Sequence, residues 1–95
     1  MAAYVILDIE VTDPVRYEDY KRAASESIGK HGGTYLVRGG KHEPLEGEWD
    51  LDRIVVLAFE SIASAREWWS SEDYTKAKAI RTKAAQVKAV LVEGM

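Results

Sequence analysis

Residues 32–60 read GGTYLVRGGKHEPLEGEWDLDRIVVLAFE, and this stretch decides the fold class. Two runs rich in β-formers, Thr34–Gly39 and Arg53–Glu60, are separated by a charged connection, and Gly39-Gly40 closes the first. Upstream, Asp13 is placed to cap a helix that carries Pro14 at its first position. Tyr17, Tyr20, Ala24 and Ile28 recur along it at helical spacing, and Gly32-Gly33 follows Lys30 and His31 as a stop. Before the helix, Tyr4–Val11 alternates as a strand. Val5, Leu7, Ile9 and Val11 oppose Tyr4, Ile6, Asp8 and Glu10.

Downstream, Ser61 is a helix cap, and Ile62, Ala65 and Trp69 share one face. The pattern restarts at Ser70-Ser71, where Asp73 lies three residues beyond Ser70 as in a capping box. Tyr74, Ala77, Ile80 and Ala84 form the next stripe, so the spacing predicts a broken or kinked helix over Ile62–Ala84. Gln86–Glu93 is the last strand. The order is strand, helix, strand, strand, helix, strand. That is one α+β domain over residues 1–95 with a four-stranded antiparallel sheet. Both helices lie on one face, and right-handed crossovers put the first and third strands in the middle.

Composition narrows the function classes. Hydrophobic residues make up 46% of the 95 and charged residues 31%, the balance of a folded globule. Net charge is −3 and no basic stripe is visible, so neither a nucleic acid nor a membrane surface is an expected partner. Cysteine is absent, which removes disulfides, thiolate catalysis and cysteine metal sites and fits the cytoplasm. The segment MAAYVILDIEV lacks a basic n-region and is too short an apolar run for a signal or a membrane span.

The strands carry apolar residues on both faces. Ile54, Val56 and Ala58 oppose Val55, Leu57 and Phe59, while Tyr4 and Ile6 oppose Val5, Leu7 and Ile9. In the last strand, Ala89 and Leu91 oppose Val90 and Val92. Helices on one side cover only half of these. Leaving about six such side chains in water forgoes on the order of 10 kcal/mol, against a whole-domain stability of about 5–15 kcal/mol. A second copy of the same sheet is the simplest cover, so the chain is expected to form a homodimer through its sheet face.

The helix start DPVRYEDY, the strand GGTYLVRGG, the segment EGEWDLDRIVVLAFES and the helix WWSSEDY resemble the family called domain of unknown function 1330. The resemblance spans essentially the whole chain. It implies the dimeric α/β-barrel superfamily, in which two ferredoxin-like sheets pack face to face. It transfers a fold and an assembly but no catalytic residues.

Several residues are candidates for chemistry. Asp8 lies mid-strand among apolar neighbours and reads either as a cleft base or as a hydrogen-bonded strand residue near the barrel mouth. Arg38 ends a strand beside Gly39-Gly40, where a guanidinium can hold a carboxylate or phosphate, or can pair with the acidic segment that follows. His42 is a general-base candidate or an exposed loop histidine. Glu46, Glu48, Asp50 and Asp52 fall on one side of an extended run, but this reads as a solvated edge segment rather than a metal site.

Trp68 and Trp69 point about 100° apart on a helix. Trp69 continues the packing stripe, which leaves Trp68 for a pocket mouth or a subunit contact. Tyr35 and Tyr74 carry hydroxyls able to orient a ligand. Two function classes follow. One is a cleft between helices and sheet that takes a small acidic or aromatic metabolite and runs a cofactor-free proton transfer, with Asp8 or His42 as base and Arg38 as anion holder. The other is a non-catalytic ligand-binding or stress-related dimeric module. Related barrels include cofactor-independent monooxygenases that rely on an asparagine near an aromatic residue, and this chain has no asparagine.

Overall fold

The computed structural model describes residues 1–95. A first strand, β1 (Ala3–Val11), leads into the long helix α1 (Pro14–Lys30). Asp13 starts that helix as its sequence position demands, with Oδ1 accepting the backbone N–H groups of Val15 and Arg16 at 3.2 Å each. At the other end, Gly33 N–H bonds to Ile28 O at 2.8 Å and Gly32 N–H to Gly29 O at 3.2 Å, the paired bonds of a Schellman stop. Gly33 is also required sterically, because a Cβ there would press within 2.8 Å of the Ile28 and Phe59 side chains.

Strands β2 (Thr34–Arg38) and β3 (Arg53–Phe59) follow, then helices α2 (Ile62–Ser70) and α3 (Glu72–Thr82) and the last strand β4 (Ala85–Glu93). The sheet order is β2-β3-β1-β4, antiparallel throughout, so the first and third strands are central. The domain is a thin slab, 35 × 32 × 16 Å, with helices on one side of an open sheet. Val5, Leu7 and Ile9 of β1 and Val55, Leu57 and Phe59 of β3 are buried under the helices.

Two expectations change. The segment over Ile62–Ala84 is two helices rather than one kinked helix, because Ser71 adopts an extended ψ of 155° that ends α2 and starts α3. Ser71, not Ser70, is the cap of α3, accepting the Tyr74 N–H at 3.2 Å. The two tryptophans also exchange roles. Trp68 is fully buried, stacked on Tyr74 at 4.1 Å and on Phe59 at 5.2 Å, while Trp69 is half-buried beneath the Lys78 ammonium. Ala65 belongs to both candidate stripes of a nine-residue helix, so spacing alone could not choose between them. Ser27 on α1 decides it, because its hydroxyl accepts the Trp68 indole N–H at 3.1 Å.

On the helix-free face, the register lines up Val90, Ile6, Val56 and Val37 in one row across all four strands. Ile6 is 37%, Val37 38%, Val90 56% and Val92 45% exposed. Residues 40–52 form an exposed loop rather than an extended edge, with Leu45 93% and Trp49 66% exposed.

Candidate functional site

Between α1 and the sheet lies a cleft. Leu7, Ile9, Val55 and Leu57 make its floor, Tyr17, Tyr20, Ala24 and Ile28 its helical wall, and Trp68 closes its end. The cleft is narrow: the space open to the centre of a water-sized sphere is about 20 Å³, room for about one water. Lys21, Tyr35, Arg38 and Arg53 are its remaining lining residues, and no carboxylate is among them.

The charges here are all positive. Arg38 lies 4.5 Å from the Tyr35 ring centre and its Nη2 donates to Ser25 Oγ at 3.2 Å. Lys21 is held by Glu18 at 2.9 Å. Arg53 leans toward the Tyr17 ring at 5.7 Å, and its Nε is buried without a hydrogen-bond partner. The guanidinium reaches this position because Gly39, with φ +72°, has no Cβ to collide with it. A buried N–H on a cation that lacks an acceptor is costly, and an anion would relieve it.

Behind the wall runs a buried polar chain. Arg81 Nη1 donates to Tyr74 Oη at 3.0 Å, and Tyr74 Oη lies 2.9 Å from Tyr20 Oη. Burial raises the pKa of both phenols above the ordinary value of about 10. A phenol raised on folding contributes stability that is fully present below its unfolded pKa and is lost as pH rises from there through the raised folded value. The fold should therefore weaken above about pH 10. The check is an alkaline titration of tyrosinate absorbance, in which the step accompanying unfolding shrinks in Tyr74→Phe; an unchanged step would show that these phenols ionise in the native state.

Three of the sequence candidates, Tyr35, Arg38 and Trp68, line the cleft, and Tyr74 reaches it through Tyr20. Asp8 does not. Strand alternation that sends Leu7 and Ile9 inward turns Asp8 to the helix-free face, where its Oδ1 accepts the Asp52 N–H at 2.9 Å opposite Lys88. His42 also stands apart, with its Nε2 donating to Leu51 O at 2.9 Å within the exposed loop. Neither proposed base therefore borders the cleft that holds Arg38. Glu46, Glu48, Asp50 and Asp52 are exposed in the same loop, and no three metal-ligating side chains converge.

Sequence reasoning missed Arg53, Lys21, Tyr17 and Tyr20 as site residues. Arg53 was legible, since it shares the inward alternation of Val55, Leu57 and Phe59. Tyr17 and Tyr20 looked like core, and they are core as well as wall.

Among solved structures, the fold is similar to a protein of unknown function, RPA0582, from Rhodopseudomonas palustris, at 16% identity and TM-score 0.78, covering 99% of this chain and 82% of that one. It is also similar to SnoaB, a cofactor-independent oxygenase from Streptomyces nogalater, at 11% identity and TM-score 0.68, covering 99% and 93%. A dimeric ferredoxin-like protein of unknown function from Thermobifida fusca YX matches at 19% identity and TM-score 0.66, covering 99% and 92%. These likenesses establish the ferredoxin-like fold. No functionally curated protein matches the chain. Residues 2–95 match the family described as Domain of unknown function (DUF1330), and the chain belongs to that family.

Proposed function

We propose that this chain is a cytoplasmic homodimer, paired through its helix-free sheet face, that binds a small anionic metabolite with an apolar or aromatic body in the cleft under α1. One observation carries the binding reading: an apolar cleft whose charged neighbours are three cations, one of them with a buried N–H that has no partner. A carboxylate at the mouth would supply the missing acceptor, and its hydrocarbon part would meet Tyr17, Ile9 and Val55. The binding-module reading gains over proton-transfer chemistry because Asp8 and His42 lie elsewhere. No cofactor enters this reading.

Support for the dimer comes from surface area. The protomer exposes 6452 Å² at 10.6 kDa, about 1,000 Å² more than the roughly 5,500 Å² of a compact monomer of that mass. The excess is close to the roughly 800 Å² that one partner gives up in an ordinary interface. Solved neighbours from Bacteroides fragilis and Thermobifida fusca are themselves described as dimeric. The cytoplasmic assignment is supported by the absence of cysteine, and no helix is long and apolar enough to cross a membrane.

Ligand binding is tested by thermal shift with aromatic and aliphatic carboxylates against wild type, Arg53→Met and Arg38→Met. Each substitution should weaken binding about tenfold or more, the effect of one hydrogen bond to a charged group. Carboxylates that stabilise all three proteins equally would place the anion site outside this cleft.

A further inference from the structure

A second concavity, a groove between α2 and β4, shares no lining residue with the cleft under α1. The sheet register explains its origin. Val5 pairs with Leu91 and Leu7 with Ala89, so Ala89 and Leu91 point to the helix side of the sheet. Val5 and Leu7 are buried there, yet Ala89 is exposed and Leu91 half-buried. The helix layer therefore stops short of β4, and the small side chains of Ala65 and Ala89 leave the gap unfilled. The space open to the centre of a water-sized sphere is about 450 Å³, against about 20 Å³ under α1. Small-molecule sites commonly offer about 300–1,000 Å³.

The lining says what would fit. Val5, Ala65 and Leu91 are apolar, and Trp69 supplies an aromatic wall. That indole is already held, with the Lys78 ammonium 4.4 Å and the Tyr74 ring 5.5 Å from its centre, so it has little side-chain freedom left to lose on binding. Arg66 is the one charged lining residue. It is exposed and forms no ion pair within the chain. The backbone adds a polar rim. The Gly94 N–H bond to Ala2 O sets the phase of the β1–β4 ladder, which turns the N–H and C=O groups of Ala89 and Leu91 away from β1, toward the free edge of the sheet. We propose that this groove is a second binding site, taking a fused-ring aromatic carboxylate with its rings against Trp69, Ala89 and Leu91 and its carboxylate on Arg66. A flat body stacks well on an indole, and the acid supplies the partner that the guanidinium lacks.

The test is calorimetric titration of the full chain with 2-naphthoate and with its neutral amide, 2-naphthamide. Ala89→Phe fills the groove from an exposed position and should weaken both ligands at least about tenfold. Arg66→Met should weaken 2-naphthoate about tenfold, the effect of one hydrogen bond to a charged group, and leave 2-naphthamide unchanged. Arg53→Met, in the other cleft, should alter neither. Arg66 is an exposed helix residue, so its variant keeps the test decisive if Ala89→Phe folds poorly. Wild type that takes up no 2-naphthoate at millimolar concentration overturns the groove as a site, as does binding that survives both groove variants. Binding lost in Arg53→Met and kept in Ala89→Phe would put the acid under α1, overturning the groove and leaving the first cleft standing.

Discussion

Replacing Trp68 with alanine should cost about 3–5 kcal/mol, much of the stability a domain of this size holds. The side chain is fully buried and contacts α1, α3 and β3 at once, through Ser27, Tyr74 and Phe59. Its loss empties the centre of the helix layer and leaves the Ser27 hydroxyl without the indole donor. The cleft loses its end wall in the same step, so ligand-dependent stabilisation should vanish with it. Urea unfolding measures the cost. Trp68→Phe bounds the ring's share, because it keeps one aromatic ring while removing the N–H and part of the bicycle, and it should cost less than the alanine. A Trp68→Ala loss below about 1 kcal/mol would mean the helix layer repacks around the gap, contrary to the close packing of interiors.

A carboxylate in the middle of the helix-free face should split the proposed dimer. Ile6→Asp places one charge per protomer in the centre of the row formed with Val90, Val56 and Val37. Ile6 is 37% exposed in the single protomer, so the new carboxylate stays hydrated there and the fold survives. Pairing two such faces would bury both charges without partners, at several kcal/mol each, which weakens association at least about 1,000-fold. Sedimentation across a concentration series reads the shift. Trp49 supplies a second readout. Its loop is tied to the helix-free face through the Asp52 N–H bond to Asp8, and Trp49 is 66% exposed in the protomer. Its emission should move to the blue as wild type associates and stay red in Ile6→Asp. Equal dimer stability in both proteins would place the interface on another surface.

Stability falls at the acidic end as well. Asp73 is held below the usual carboxylate range, chiefly by a hydrogen bond from Ser71 and then by His31, whose Nε2 lies 3.3 Å from Oδ1. A depressed carboxyl contributes above its unfolded pKa and loses that contribution as pH falls through the folded value.

The elements of this fold are written locally. Asp13-Pro14 opens α1, Gly32-Gly33 closes it, and period-two alternation in Tyr4–Val11 and Arg53–Glu60 marks two strands with two apolar faces. From those signals alone come the βαββαβ order, the central position of the first and third strands and the need to cover a second sheet face. Each depends on backbone hydrogen bonding or on a periodicity carried by neighbouring residues, so no distant contact is needed to see it. The alternation also put Asp8 on the side away from the helices, although its role as a cleft base did not follow it there.

Tertiary structure decided what neighbours in sequence cannot. Which tryptophan enters the core depended on Ser27, an acceptor 41 residues away on another helix. The cleft itself is assembled from α1, β1, β2, β3 and α2, so Lys21, Arg38 and Arg53 border one concavity only once α1 packs over the sheet. The hydrogen bonds Tyr20–Tyr74 and Ser25–Tyr35 join residues 54 and 10 positions apart that lie on different elements. Local sequence determines which way a side chain points along its own strand or helix; what it meets there is a property of the packed chain.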